Sequence, residues 1–148
     1  MTFDSRSESN IATLVPKAQD AARQFLAAAL AAMQPNGIIV RIISGTRTYA
    51  EQDALYAQGR STSGPIVTNA RGGFSNHNFG IAWDIGLFQN DRYLDESPYY
   101  RQLGPVGESL GLEWGGRWRF EDDPHYQLKT GLTLAQLRDR VSQGIPIV

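Results

Sequence analysis

Residues 81–88, IAWDIGLF, constrain the fold more than any other stretch of this chain. The run is rich in residue types that suit a pleated, buried surface. Successive side chains of a strand alternate faces, so Ile81, Trp83 and Ile85 share one side and Ala82, Asp84 and Gly86 the other. The apolar side must pack against a second layer. Asp84 is left on the opposite side of a strand that otherwise reads as buried, where a carboxylate needs water or a partner.

The flanking periodicities supply the other layers. Pro16 suits the first turn of a helix, and Ala18, Ala22, Phe25, Leu26, Ala29 and Met33 recur at helical spacing. They predict an amphipathic helix over 16–34 that ends at Asn36-Gly37. GIIVRII (37–43) predicts a short strand. Thr48 followed by Glu51 is a capping box, which opens a helix running from about 49 to Gln58 with Gly59 as terminator. Arg47 falls at the junction of strand end and helix start. Residues 60–74 are rich in Gly, Ser, Thr and Asn and predict a loop, long enough to be functional or mobile. Ser97-Pro98 opens a further helical segment, interrupted near Gly104-Pro105 and resumed to about Leu112. Thr133 with Gln136 caps a last helix. Residues 1–10 are polar and expected to be only partly ordered. With no repeat and no linker, the expectation is one domain over 1–148: an α+β fold, a small central antiparallel sheet with helices packed on it.

Composition removes several function classes. A 148-residue chain that is 41% hydrophobic and 20% charged fits one globular core. A net charge of −1 provides no global basic field, so neither nucleic acid nor a membrane surface is an expected partner. There are no cysteines, hence no disulfides, thiol nucleophiles or thiolate metal sites. Any metal must be held by His, Asp or Glu. The most apolar early stretch, AARQFLAAALAAM, contains Arg23 and Gln24 and lacks the plan of a signal peptide. Synthesis in the cytoplasm without a signal peptide is therefore expected.

The chain has two histidines, and both lie beside turn chemistry and carboxylates. His77 is seven residues before Asp84, about 23 Å if the chain ran straight at roughly 3.3 Å per residue. Asn78-Phe79-Gly80 is turn-forming, however, and a fold-back there makes two antiparallel arms that bring His77 and Asp84 face to face. Pro124 pushes Asp123 toward an extended conformation, so His125 begins a short strand, HYQL, with His125 and Gln127 on one side. Asp122 lies three residues before His125, across a bend. Two histidines and a carboxylate are a standard ligand set for catalytic zinc, with a fourth position for water, and a non-ligating carboxylate nearby accepts the proton as that water attacks. The plain alternative on spacing alone is a pair of hydrogen-bonded histidines and a solvent-facing aspartate.

Three ordered motifs extend the reading. SNHNFGIAWDI resembles the S-x-H-x-x-G-x-A-x-D element of the zinc peptidases that include VanY-like D-alanyl-D-alanine carboxypeptidases and phage L-alanyl-D-glutamate endolysins. EWGGRWRFEDDPHYQL is similar to that family's second element, a Trp/Gly-rich run ending in an acidic residue, two spacers and a histidine. SGTRTYAEQDALYAQGR resembles its upstream segment. The resemblance covers roughly 38–128 and implies a DD-peptidase-like (hedgehog-type) zinc peptidase fold. It implies one zinc ion held by His77, Asp84 and His125, with Asp122 as general base and Arg47 beside the metal, holding a substrate carbonyl or the oxyanion. Ser75 and Gln52 align with polar positions lining the family's cleft. Trp83, Trp114 and Trp118 are core or cleft wall.

The implied activity is hydrolysis of an amide bond in the stem peptide of bacterial peptidoglycan. The carboxypeptidases usually present Glu-x-x-His and the alanyl-glutamate endopeptidases often Asp-x-x-His. Asp122-Asp123-Pro124-His125 favours the endopeptidase, and Glu121 is one residue out of register. A D-alanyl-D-alanine carboxypeptidase, an inactive zinc-containing wall-binding module and a metal-free binding domain are the rivals. A monomer is expected, without a separate cell-wall-binding domain. A phage-type endolysin released through a membrane hole and a wall-turnover enzyme both fit the missing signal peptide.

Overall fold

A computed structural model describes residues 2–148. Its helices are α1 (Ser5–Ile11), α2 (Pro16–Met33), α3 (Tyr49–Ala57), α4 (Pro98–Ser109) and α5 (Leu134–Gln143). Its strands are β1 (Ile39–Ser44), β2 (Ala82–Gln89), β3 (Arg92–Leu94), β4 (Glu113–Trp114) and β5 (His125–Gln127). All pairings are antiparallel, in the order β1-β2-β5-β4, with β3 on the far end of β2. The α+β architecture read from the sequence is the one observed, and none of the described helices is long and apolar enough to cross a membrane.

β2 is the axis of the sheet. β2 pairs with β1 along one edge, while β5 and β3 share its other edge at opposite ends. Trp83, Ile85 and Leu87 are fully buried, packed with Ala22, Phe25, Leu26 and Ala29 of α2 and with Leu103 of α4. The Phe25 ring lies 4.3 Å from Tyr126 and 6.5 Å from Trp83, centroid to centroid, so aromatic contacts tie α2 to β2 and β5. The alanines of α2 let that helix approach the sheet closely.

The helix boundaries follow the local signals. Pro16 occupies the first turn of α2, and Gly37 past its end is left-handed at φ 67°. Thr48 and Glu51 form the capping box of α3, and Thr133 and Gln136 that of α5.

Three expectations are corrected. Residues 5–11 form a helix rather than a partly ordered tail. The Ser7 hydroxyl accepts from the Ile42 N–H at 2.9 Å, and the Asn10 amide donates to the Ile42 carbonyl at 3.0 Å. These polar side chains satisfy the outer edge of β1, a partner no local pattern announces. Gly104-Pro105 does not interrupt α4, which runs unbroken through Pro105. A side chain at Gly104 would run into the Trp114 ring, and one at Gly107 would meet Tyr126 at 2.6 Å. The glycines thus form a close-packed helix face, and tertiary packing overrides local propensity. Finally, His77 is not on a strand arm; it lies in a 3₁₀ turn, Asn76–Phe79, ended by Gly80 at φ 74°.

Candidate metal centre and its cleft

Three chain segments converge at one end of the sheet. The 3₁₀ turn carries His77, β2 carries Asp84 and β5 carries His125, directly opposite Asp84 in the strand register. A β-bulge between Ile42 and Ser44 of β1 sits beside the same point, with Ser44 paired to Asp84. One ligand atom from each of His77, Asp84 and His125 lies within 4.8 Å of the others. Both imidazoles are buried.

The outer nitrogens of the two rings are held. His77 Nδ1 is 2.9 Å from the Gly45 carbonyl, and His125 Nε2 is 2.7 Å from Gln127 Oε1. Both partners are acceptors, so each outer nitrogen carries the proton. In neutral rings the inward nitrogens then present lone pairs toward Asp84, with His77 Nε2 at 3.2 Å from Oδ2 and His125 Nδ1 at 3.3 Å from Oδ1. Asp84 Oδ1 is buried and receives no hydrogen bond. Three converging acceptors around one point repel one another unless a cation or extra protons sit among them, and this donor set suits zinc. Burial opposes ionisation of Asp84, yet inward-facing protons on the His125 and His77 rings, the alternative to a cation, outweigh it and hold the carboxyl below the usual carboxylate range. Burial likewise opposes a charged His125, but Asp84 prevails and raises that ring's pKa.

Asp122 stands apart from this trio. Its side chain is half-exposed, with Oδ2 3.8 Å from His125 Nδ1. Burial of its carboxyl and the neighbouring Asp84 charge raise its pKa, the direction that suits a proton acceptor. The Asp122 N–H donates to the Gly115 carbonyl at 3.0 Å, and a side chain at Gly115 would meet the Asp122 carbonyl at 2.5 Å. The glycine is what allows the loop to close.

The trio opens into a cleft of about 390 Å³. Asp122 and Trp118 form one wall, and Trp118 lies 4.8 Å from the His125 ring, centroid to centroid. Arg47, Phe74 and Ser75 also line the cleft, with Val67, Thr68 and Ala70 from the 60–74 loop. The Arg47 main chain is clamped to the histidine turn: its N–H donates to the His77 carbonyl at 2.9 Å, and its carbonyl accepts from Asn78 Nδ2 at 3.0 Å. Arg47 Nε has no partner.

Of the residues singled out from sequence, His77, Asp84, His125, Asp122, Arg47 and Ser75 meet here. Ser75 also caps the 3₁₀ turn, accepting from the His77 N–H at 3.2 Å. Gln52 does not line the cleft. It is fully buried, and its amide holds the Ala70 carbonyl at 2.8 Å, so it braces the loop from behind. Trp83 and Trp114 are core and Trp118 is cleft wall. Sequence reading missed Gln127, Gly45 and Asn78 as supports. The signal for Gln127 was present, since it shares a strand face with His125; Gly45 acts through its carbonyl, which has no side-chain signature.

Residues 68–128 match the sequence profile of the family described as D-alanyl-D-alanine carboxypeptidase. The peptidoglycan L-alanyl-D-glutamate endopeptidase CwlK of Bacillus subtilis is 41% identical over 109 residues, which span 66% of this chain and 65% of that protein. The crystal structure of the Serratia marcescens L-Ala D-Glu endopeptidase ChiX superposes with a TM-score of 0.64 at 25% identity, covering 88% of this chain and 92% of that one. The vancomycin-resistance D,D-pentapeptidase VanY, solved with Zn(II), has a TM-score of 0.54 at 16% identity over 90% of this chain and 81% of its own, a likeness of fold.

Proposed function

We propose that this chain, which is related to the D-alanyl-D-alanine carboxypeptidase family of peptidases, is a zinc-dependent endopeptidase. Its substrate would be the L-alanyl-D-glutamate bond of the peptidoglycan stem peptide. The observation that carries this reading is the convergence of His77, Asp84 and His125 on one point with Asp122 at its rim. The 41% identity to an L-alanyl-D-glutamate endopeptidase supports the choice of bond.

His77 Nε2, an Asp84 carboxylate oxygen and His125 Nδ1 would hold the ion. Zinc, when bound, supplies a Lewis acid for the scissile carbonyl and lowers the pKa of water in its reach. Asp122 takes the proton from the attacking water at its carboxylate and passes it to the leaving amine. Arg47, which lines the cleft and whose buried Nε has no partner, offers its guanidinium to the oxygen that gains charge in the tetrahedral intermediate. Trp118 and Phe74, which line the cleft, offer apolar surface to the bound peptide.

The test is digestion of purified sacculi followed by mass spectrometry of the new termini. Fragments beginning with glutamate are expected. Release of free alanine alone would replace this reading with a D-alanyl-D-alanine carboxypeptidase, the activity in the matched family's description. Asp122→Asn should retain zinc and lose about 100- to 10,000-fold in turnover, the usual worth of a general base. Unchanged wall degradation in that variant would instead point to binding without catalysis.

A further inference from the structure

Three consecutive carboxylates, Glu121, Asp122 and Asp123, precede Pro124, and the chemistry needs one of them. Arg101 of α4 separates them. Its Nη1 donates to Glu121 Oε2 at 3.2 Å and to Asp123 Oδ1 at 2.7 Å, and its Nη2 donates to the Gly116 carbonyl at 3.4 Å. Its guanidinium carbon lies 4.9 Å from the centre of the Trp114 ring, and that ring's Nε1 donates to the Asp123 carbonyl at 2.7 Å. Both neighbours of Asp122 are thereby drawn onto α4. The Asp122 main chain is pinned to Gly115, and its side chain is the one of the three that faces His125.

We propose that Arg101 is a positioning residue for the reaction, occupying Glu121 and Asp123 so that Asp122 alone faces the metal centre. The inference rests on the reading of Asp122 as general base. Two physical points support it. Extra free carboxylates beside a cation site compete to ligate it, and Nη1 of the guanidinium holds both competitors while Nη2 anchors it to the Gly116 carbonyl, a second arm that a lysine lacks. The pair with Glu121 is also too exposed to be there for stability, although Asp123 is only 27% exposed. The side chain of Arg101 is 45% exposed and that of Glu121 64%, and ion pairs of this kind contribute little to folding. What they do is fix the direction of a short, irregular loop.

The experiment compares zinc-loaded wild type with Arg101→Gln, Arg101→Lys and Asp122→Asn on a soluble stem peptide containing the L-alanyl-D-glutamate bond. For Arg101→Gln, kcat should fall about 10- to 100-fold, the scale of a misplaced catalytic group. KM, zinc affinity by chelator competition, and Tm should stay at wild-type values. Arg101→Lys keeps the charge and a donor for the two carboxylates but loses the arm that Nη2 extends to the Gly116 carbonyl, and should recover part of the loss. Wild-type kcat in Arg101→Gln overturns the proposal. So does a loss that tracks falling Tm or zinc affinity and is not relieved by lysine. If Arg101→Gln does not fold, wild-type kcat in Arg101→Lys overturns it and a reduced kcat at unchanged Tm upholds it. If Asp122→Asn keeps full turnover, the reading of Asp122 fails and this inference with it. An inactive Asp122→Asn beside a fully active Arg101→Gln defeats this inference alone.

Discussion

At the scale of single residues, the centre depends on which nitrogen of each histidine is free. The Gly45 carbonyl settles this for His77 and the Gln127 side chain for His125. Gln127→Leu removes the acceptor and leaves the His125 ring free to turn or change tautomer. The expected result is a loss of about 10- to 100-fold in zinc affinity, measured by competition with a chromophoric chelator. Gln127→Glu keeps an acceptor oxygen and should stay near wild type. His77, Asp84, Asp122 and His125 were all legible in the sequence, because a carboxylate in an apolar strand and two histidines beside turns are chemically conspicuous. Gln127 was legible only as sharing a strand face with His125, and Gly45 not at all, since it contributes only backbone.

At the scale of elements, α1 shows how a segment without an apolar stripe becomes part of the fold. It is held to β1 by Ser7 and Asn10, and to α2 by an ion pair in which Arg23 Nη1 is 2.9 Å from Glu8 Oε2. The Arg23 guanidinium, with help from the Phe3 N–H, lowers the Glu8 pKa from 4.5 to about 2. A depressed carboxyl pKa means that the stabilising contribution is complete above pH 4.5 and is lost as pH falls through about 2. Protection factors of amides in residues 5–11 should therefore fall over that acid window ahead of those in β2, and Glu8→Gln should abolish that fall. The same scale explains the hairpin of β2 and β3, which sequence reading did not pick out. Asn90 and Asp91 both have positive φ, 52° and 62°, as a two-residue hairpin turn requires. Asn-Asp is a weaker signal than Asn-Gly, and β3 is only three residues long.

At the scale of the whole molecule, the core and the candidate metal centre are separate. The packed layer of α2, α4 and the inner face of the sheet forms one cluster around Trp83, while His77, Asp84 and His125 lie at the end of the sheet. The protein should therefore stay folded when zinc is chelated, unlike small domains that the metal alone organises. Binding to the folded state alone adds about 2.7 kcal/mol at a free zinc concentration 100 times Kd, a rise of roughly 5–10 °C in Tm for a chain of this size. Calorimetry with zinc and then with excess EDTA should show this shift and its reversal, and His125→Ala should show neither. Unfolding on chelation would mean that the core does not stand alone.

By itself the sequence determined the elements with strong periodicity or caps, namely α2, α3, α5 and the apolar alternation of β2, because those signals act over a few neighbouring residues. It also determined the chemistry on offer, two histidines and a cluster of carboxylates in a chain without cysteine. Only the tertiary structure decided how they meet. The 3₁₀ turn rather than a strand arm delivers His77, the pairing of β2 with β5 sets His125 opposite Asp84, and Arg101 draws Glu121 and Asp123 away from Asp122. Each of these joins groups from different elements, and contacts between elements depend on packing and register, which local propensity does not encode.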